Sequence, residues 1–151
     1  MSSPLILGWQ EWIALPKLGL PALKAKIDTG AKTSALHTRV VEPYRQRNRD
    51  RVRFSVQPSP EHAGLQIEAS AEVIDRREVR SSNGDLELRY VIASQLAIGE
   101  RTWPIEITLA NREQMTYRML IGRQAIPPNV LIDPTASFRQ PKLSFTLYEG
   151  M

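Results

Sequence analysis

The sequence predicts a mainly β protein, a small closed barrel with one short helix near the C-terminal third. Runs rich in Val, Ile, Leu and Thr are short, and Pro, Gly, Asn and Ser break them at close intervals. Asn83-Gly84 supplies a tight-turn dipeptide between two such runs, because both residues accept the positive φ that a hairpin turn demands. The 151 residues suffice to bury one core, so a single domain over residues 1–151 is expected, without internal repeat or linker.

Taken in order, Glu11–Leu15 reads as a strand and Pro16–Gly19 as a turn. Leu23–Asp28 follows, with Leu23, Ala25 and Ile27 alternating with Lys24 and Lys26. Val52–Gln57 and Leu65–Ile74 flank a turn at Ser59–Gly64. Arg77–Arg80 and Leu86–Ala93 flank the turn Ser81–Asp85. There Leu86, Leu88 and Tyr90 alternate with Glu87, Arg89 and Val91, an imperfect alternation consistent with a two-faced ribbon that projects over a cleft. Ile98–Ile107 and Lys142–Tyr148 complete the strands. The helix is expected near Gly122–Ile126, stopped by Pro127-Pro128.

Charge is uneven along the chain. Lys and Arg number 20 against 16 Asp and Glu, a formal charge of +4. Arg45, Arg47, Arg49, Arg51 and Arg53 fall at every second residue, so an extended Tyr44–Val56 projects all five guanidinium groups from one face. One reading is a solvated hairpin partly neutralised by Asp50. The other is a site for carboxylates or phosphates, including RNA. No aromatic residues interleave for base stacking, so nucleic acid is the weaker partner.

Cysteine is absent, which excludes a disulfide framework, cysteine-ligated zinc and a thiol nucleophile. The opening residues Met1–Trp9 lack a basic leader followed by a long apolar stretch, and no run approaches the roughly 18 apolar residues of a spanning helix. A cytoplasmic location and no membrane partner are expected. Trp9, Trp12 and Trp103 read as core or interface anchors.

The chemistry-bearing feature is Asp28-Thr29-Gly30-Ala31, at the end of the alternating run. It sets a carboxylate at the mouth of a strand-to-loop turn. Thr29 offers a hydroxyl hydrogen bond, and Gly30 permits close approach of a second backbone. The same four residues also suit an ordinary turn. A second segment, Met119-Leu120-Ile121-Gly122-Arg123, places two apolar residues and a glycine late in the chain.

Together, an early Asp-Thr-Gly-Ala, a Gly-tipped hairpin in the middle and a late apolar-apolar-Gly-Arg segment resemble the single-domain retroviral-type aspartic peptidases. The likeness runs from Gly8-Trp9-Gln10-Glu11-Trp12 through Ala25–His37, Val52-Arg53-Phe54, Arg77–Gly84 and Arg89-Tyr90-Val91-Ile92 to Met115 and Met119–Arg123. Over nearly the whole chain it resembles the bacterial retropepsin-like family labelled "ATP-dependent zinc protease". The residues support neither half of that label. There is no His-Glu-x-x-His, His37 and His62 lie far apart, and no glycine-rich Walker loop is present. No metal or cofactor is expected.

The resemblance implies a retropepsin-like barrel in which the late Leu-Ile-Gly passes under the aspartate loop. It also implies partnership with ATP-grasp glutamate ligases that extend acidic tails on a ribosomal protein, with tail trimming as the role here. One Asp-Thr-Gly in a short chain requires a second copy, so a homodimer is expected. Asp28 of each copy then forms a dyad that shares one proton and activates a water, with Thr29 and Gly30 bracing it. Ala31, Lys32, Ser82, Asn83, Gly84 and Arg123 are the expected substrate-binding residues, the hairpin tip serving as a lid. Lys32 and Thr33 stand where retroviral enzymes carry acids, which leaves Arg123 without its usual partner and favours an acidic peptide. The alternative is a catalytically inactive module that binds acidic peptides or ribosomal components.

Overall fold

The computed structural model describes residues 3–80, 84–111 and 117–149. Among these, six strands close a barrel. β2 (Gln10–Leu15) and β3 (Leu20–Asp28) pair antiparallel, and β10 (Met119–Gly122) lies parallel to β3. β10 pairs antiparallel with β4 (Ser34–His37), which runs parallel to β9 (Arg101–Ala110). β8 (Leu86–Ile98) follows, and the pairing of Ala14 with Ala97 returns the ring to β2. Closure removes free edges from this ring.

Period-two alternation fills the barrel. Leu23, Ala25 and Ile27 of β3 point inward beside Met119 and Ile121 of β10, while Leu36, Ile92, Leu96 and Ile107 close the core from the other side. Beyond the ring, β7 (Ile67–Arg80), β6 (Arg49–Val56) and β5 (Arg39–Gln46) extend the sheet past β8. β1 (Leu5–Leu7) and β11 (Val130–Ile132) form a separate parallel pair.

Several sequence expectations shift. The runs Leu65–Ile74 and Arg77–Arg80 are one strand, β7, with an irregularity between Val73 and Asp75. β8 continues to Ile98, because Gly99 at φ 60° makes the turn into β9. The segment Lys142–Tyr148 is not a strand. It ends in a 3-10 helix, Phe145–Tyr148, capped where the Ser144 hydroxyl accepts the Thr146 N–H. Tyr148 donates its hydroxyl proton to the Ala22 carbonyl on β3, and burial pushes that phenol up to about 12. β1, β4, β5, β10 and β11 are not among the expected strands. Each is short or polar enough to carry little alternation of its own. The expected helix is a 3-10 turn, Arg123–Ala125, ended before Pro127.

The arginine run does not form a single cationic face. Arg47 and Asn48, both at positive φ, turn the chain between β5 and β6. Arg45 pairs across with Asp50, while Gln46, Tyr44 and Glu42 stand opposite Arg49, Arg51 and Arg53. Hence Arg45 projects from the opposite face to Arg49, Arg51 and Arg53. Acids neutralise both sides: Arg45 meets Asp50 at 2.7 Å, Arg49 meets Glu72 at 3.1 Å, and Arg53 lies 4.0 Å from Glu42.

Of the middle hairpin, the pairing of Arg80 with Leu86 places its connection at residues 81–85. Ser81, Ser82 and Asn83 lie outside the described residues, as does Met115. Gly84 is described, exposed, at φ 90°. Among the described residues, no helix is long and apolar enough to cross a membrane.

Candidate active site

β3 ends on Asp28, and the chain turns at once: the Ala31 N–H donates to the Asp28 carbonyl at 3.1 Å. The Asp28 carboxylate accepts the Gly30 N–H through Oδ1 at 3.0 Å, a local side-chain bond that holds the acid at the strand end. Asp28 is half-buried, and Thr29 and Gly30 are exposed. Among the described residues the second carboxylate oxygen and the Thr29 hydroxyl accept or donate no hydrogen bond.

β10 holds this loop from beneath. Ile121 pairs with Ile27 and Gly122 with Asp28, so the late segment enters the sheet at the level of the acid. The Gly122 N–H donates to the Ser34 hydroxyl at 3.0 Å, the Arg123 N–H to the Ala31 carbonyl at 2.8 Å, and the Gln124 N–H to the Lys32 carbonyl at 3.1 Å. Arg123 adds a guanidinium bond to the Gly30 carbonyl at 3.2 Å. Four donors from three consecutive residues thus fix the loop from Gly30 to Ser34. Arg123 finds a backbone acceptor in place of an acidic side chain.

The glycine that permits close approach is Gly122. A Cβ there would stand 2.4 Å from the Thr33 carbonyl oxygen, which backbone cannot accommodate. At Gly30 the nearest atom to such a Cβ is Oδ1 of Asp28, at 3.2 Å, so its absent side chain leaves room for the carboxylate. Ser34 escaped sequence reasoning. Its only sequence signal is a hydroxyl just past the turn, and the Gly122 N–H it accepts from lies 88 residues away.

The structure therefore brings Asp28, Thr29, Gly30, Ala31, Lys32 and Arg123 together in one loop and its brace. Lys32 is exposed, its carbonyl is engaged, and its amine forms no ion pair among the described residues. Ser82 and Asn83 are outside the described residues, and Gly84 is exposed at the end of the hairpin connection. A cleft of about 670 Å³ opens beside the loop, lined in part by Thr33, Ser34, Arg77 and Gln124. Asp28 is not in its wall.

No cluster of three or more His, Asp or Glu suited to a metal occurs among the described residues. His37 is buried within β4, and His62 is an exposed loop residue whose ring lies 4.8 Å from Phe145. Trp12 is a core anchor, and Trp103 donates its indole N–H to the Ala125 carbonyl at 2.8 Å. Trp9 is partly exposed.

Comparison with known proteins agrees with this architecture. A model of the RimB-like family, described as retropepsin-like aspartic endopeptidase RimB, matches residues 6–143. A Shewanella halifaxensis protein named probable alpha-L-glutamate ligase is 44% identical over 133 residues, 88% of this chain and 29% of that protein. One from Parasynechococcus marenigrum with the same name is 42% identical over 151 residues, 100% of this chain and 32% of that protein. The chain spans less than a third of the length of either relative. The crystal structure of a Legionella pneumophila protein of unknown function superposes with a TM-score of 0.77 at 28% identity, covering 91% of this chain and 98% of that one. The family match takes in the whole barrel and both halves of the aspartate brace, and on that extent the chain belongs to the RimB-like family of retropepsin-like aspartic endopeptidases.

Proposed function

We propose that the protein is an aspartic-type peptidase acting as a homodimer through an Asp28/Asp28 dyad, and that it trims acidic, glutamate-rich peptide tails in the cytoplasm. The single observation that carries this reading is the state of Asp28. One of its oxygens is fixed by the Gly30 N–H, the other is uncommitted among the described residues, and the loop is rigidly braced.

In the dimer, two carboxylates a few ångströms apart share one proton. The ionised member takes a proton from a water as the water oxygen bonds to the scissile carbonyl carbon, and the protonated member hydrogen-bonds the developing oxyanion. Collapse breaks the C–N bond, the amine leaves with a proton from the dyad, and a free carboxyl remains. The exposed Thr29 hydroxyl bonds across the axis, and Lys32 and the 81–85 hairpin meet substrate. No metal or ATP enters the reaction.

The substrate class is supported by the relatives named as probable alpha-L-glutamate ligases. An enzyme that adds glutamate produces a chain that a peptidase of this kind can remove, and a ligase is then a natural partner. The same relatives favour a second reading. They are more than three times as long as the segment they share with this chain, so this barrel also suits an acidic-peptide-binding module that presents tails to a ligase.

Wild type and Asp28→Asn incubated with glutamate-tailed and generic peptides from acidic to neutral pH, followed by mass spectrometry, separate the two readings. Cleavage by wild type alone is expected. Identical products from both proteins, or none from either, would sink the peptidase, and retained binding by both would then favour the module. Sedimentation checks the dimer: a monomer at every accessible concentration leaves Asp28 without its partner.

A further inference from the structure

Lys24, Lys26 and Asp28 alternate with Ala25 and Ile27, which are buried in the barrel. The three therefore project from the outward face of β3, each step of two residues covering about 6.6–6.8 Å. Both lysines are exposed. The ion pairs among the described residues all use arginine, and none uses a lysine. A row of two cations without an ion pair among the described residues thus leads to the Asp28 carboxylate.

The neighbours of this row make it a floor. Gln10 on β2 and Leu120 on β10 stand beside Lys26, and the Gln10 side-chain amide oxygen Oε1 accepts the Tyr117 hydroxyl. The Lys24 amine sits 5.3 Å from the Trp12 ring centroid, over an aromatic cluster that includes Phe145. Lys24 also lines a cleft of about 520 Å³ with Lys142, Glu61 and Glu149, so charge is mixed around it. Lys26, nearer Asp28, lies outside that cleft.

We propose that Lys26, backed by Lys24, determines specificity by pairing with side-chain carboxylates of an extended acidic peptide lying along the β3 face toward Asp28. Alternate side chains of an extended peptide repeat at the same spacing as the lysines, so every second glutamate meets an ammonium group. This inference rests on the peptidase reading of Asp28 and adds the residue that selects the substrate.

Two peptides with a common neutral body, one ending in α-linked glutamates and one in glutamines, test it on wild type, Lys26→Met, Lys26→Glu and Lys26→Arg. The readout is the ratio of kcat/KM for the two peptides, with equilibrium binding of both measured in parallel on the Asp28→Asn protein and its Lys26 double variants. The preference for glutamate is expected to fall about tenfold in Lys26→Met, further in Lys26→Glu, and to return in Lys26→Arg. It should also weaken with added salt. A preference unchanged in Lys26→Glu, with unfolding midpoints equal, overturns the proposal. If wild type cleaves neither peptide, the peptidase reading fails and binding decides Lys26: a glutamate preference abolished by Lys26→Glu upholds it, and equal binding of the two peptides overturns it.

Discussion

Glu11 on β2 and Asp28 at the end of β3 sit on paired strands, yet their carboxylates are used in opposite ways. Glu11 is fully buried and accepts backbone N–H groups from Gly8 at 2.7 Å, Arg139 at 2.8 Å and Gln140 at 3.0 Å. Asp28 is half-buried and, among the described residues, its carboxylate accepts only the Gly30 N–H. Saturation turns the first into a clamp. It ties the chain near residue 140 to the start of the barrel, where Trp9 N–H to Ala136 and Phe138 N–H to Gln10 run alongside. The second keeps lone pairs for a proton, a water or a partner, which chemistry requires and stability does not.

The comparison is broken most directly at the clamp. Glu11→Ala leaves three backbone donors without their acceptor in or near the core, and a loss of about 3 kcal/mol or more is expected in chemical denaturation. A loss no larger than that of Asp28→Asn would dissolve the distinction. Next in size is Gly122→Ala, whose methyl group meets the Thr33 backbone at 2.4 Å. Overpacking against main chain should cost about 1–3 kcal/mol and displace the Asp28 loop, so urea unfolding and tail cleavage should fall together.

Much of this site was legible because its signals are local or rest on ordered motifs. Asp28 closes an alternating run, and the late Leu120-Ile121-Gly122-Arg123 is short, apolar and glycine-terminated. What stayed hidden depends on register. The spacing of Arg45 to Arg53 reads as one ribbon, but the turn at Arg47-Asn48 reverses the chain and sets acids opposite. Lys24 and Lys26 have the same two-residue period, and neither forms an ion pair among the described residues. Only pairing across strands tells the neutralised row from the open one. Likewise Glu11 is an unremarkable charge in sequence, since its donors lie 3, 128 and 129 residues away.

Asp28→Asn sharpens the other side of the comparison. Asparagine keeps the oxygen that accepts the Gly30 N–H, so stability should change by less than about 0.5 kcal/mol while cleavage is abolished. Near-equal denaturation curves with lost product by mass spectrometry are the expected pair of results. A large destabilisation would mean that Asp28, too, is a structural acid.

The smallest expected effect concerns Asp133, on the segment between β11 and the residues that Glu11 clamps. Its carboxylate accepts the Thr135 hydroxyl at 2.7 Å and the Thr135 N–H at 3.0 Å, and these bonds, with Arg139 nearby, hold it below the usual carboxylate range. A carboxyl depressed in the folded state stabilises the fold above its unfolded value near 3.9. That contribution is lost as pH falls below it and through the lower folded value. Asp133→Asn should therefore leave a shallower acid limb in unfolding midpoints measured from neutral pH down to about 2, with little change at neutrality beyond the loss of this contribution. Because the Asp133 and Arg139 side chains are both partly open to solvent, salt should screen their pairing, whereas the Thr135 bonds persist. An acid limb identical in the two proteins would place the pH sensitivity of this segment elsewhere.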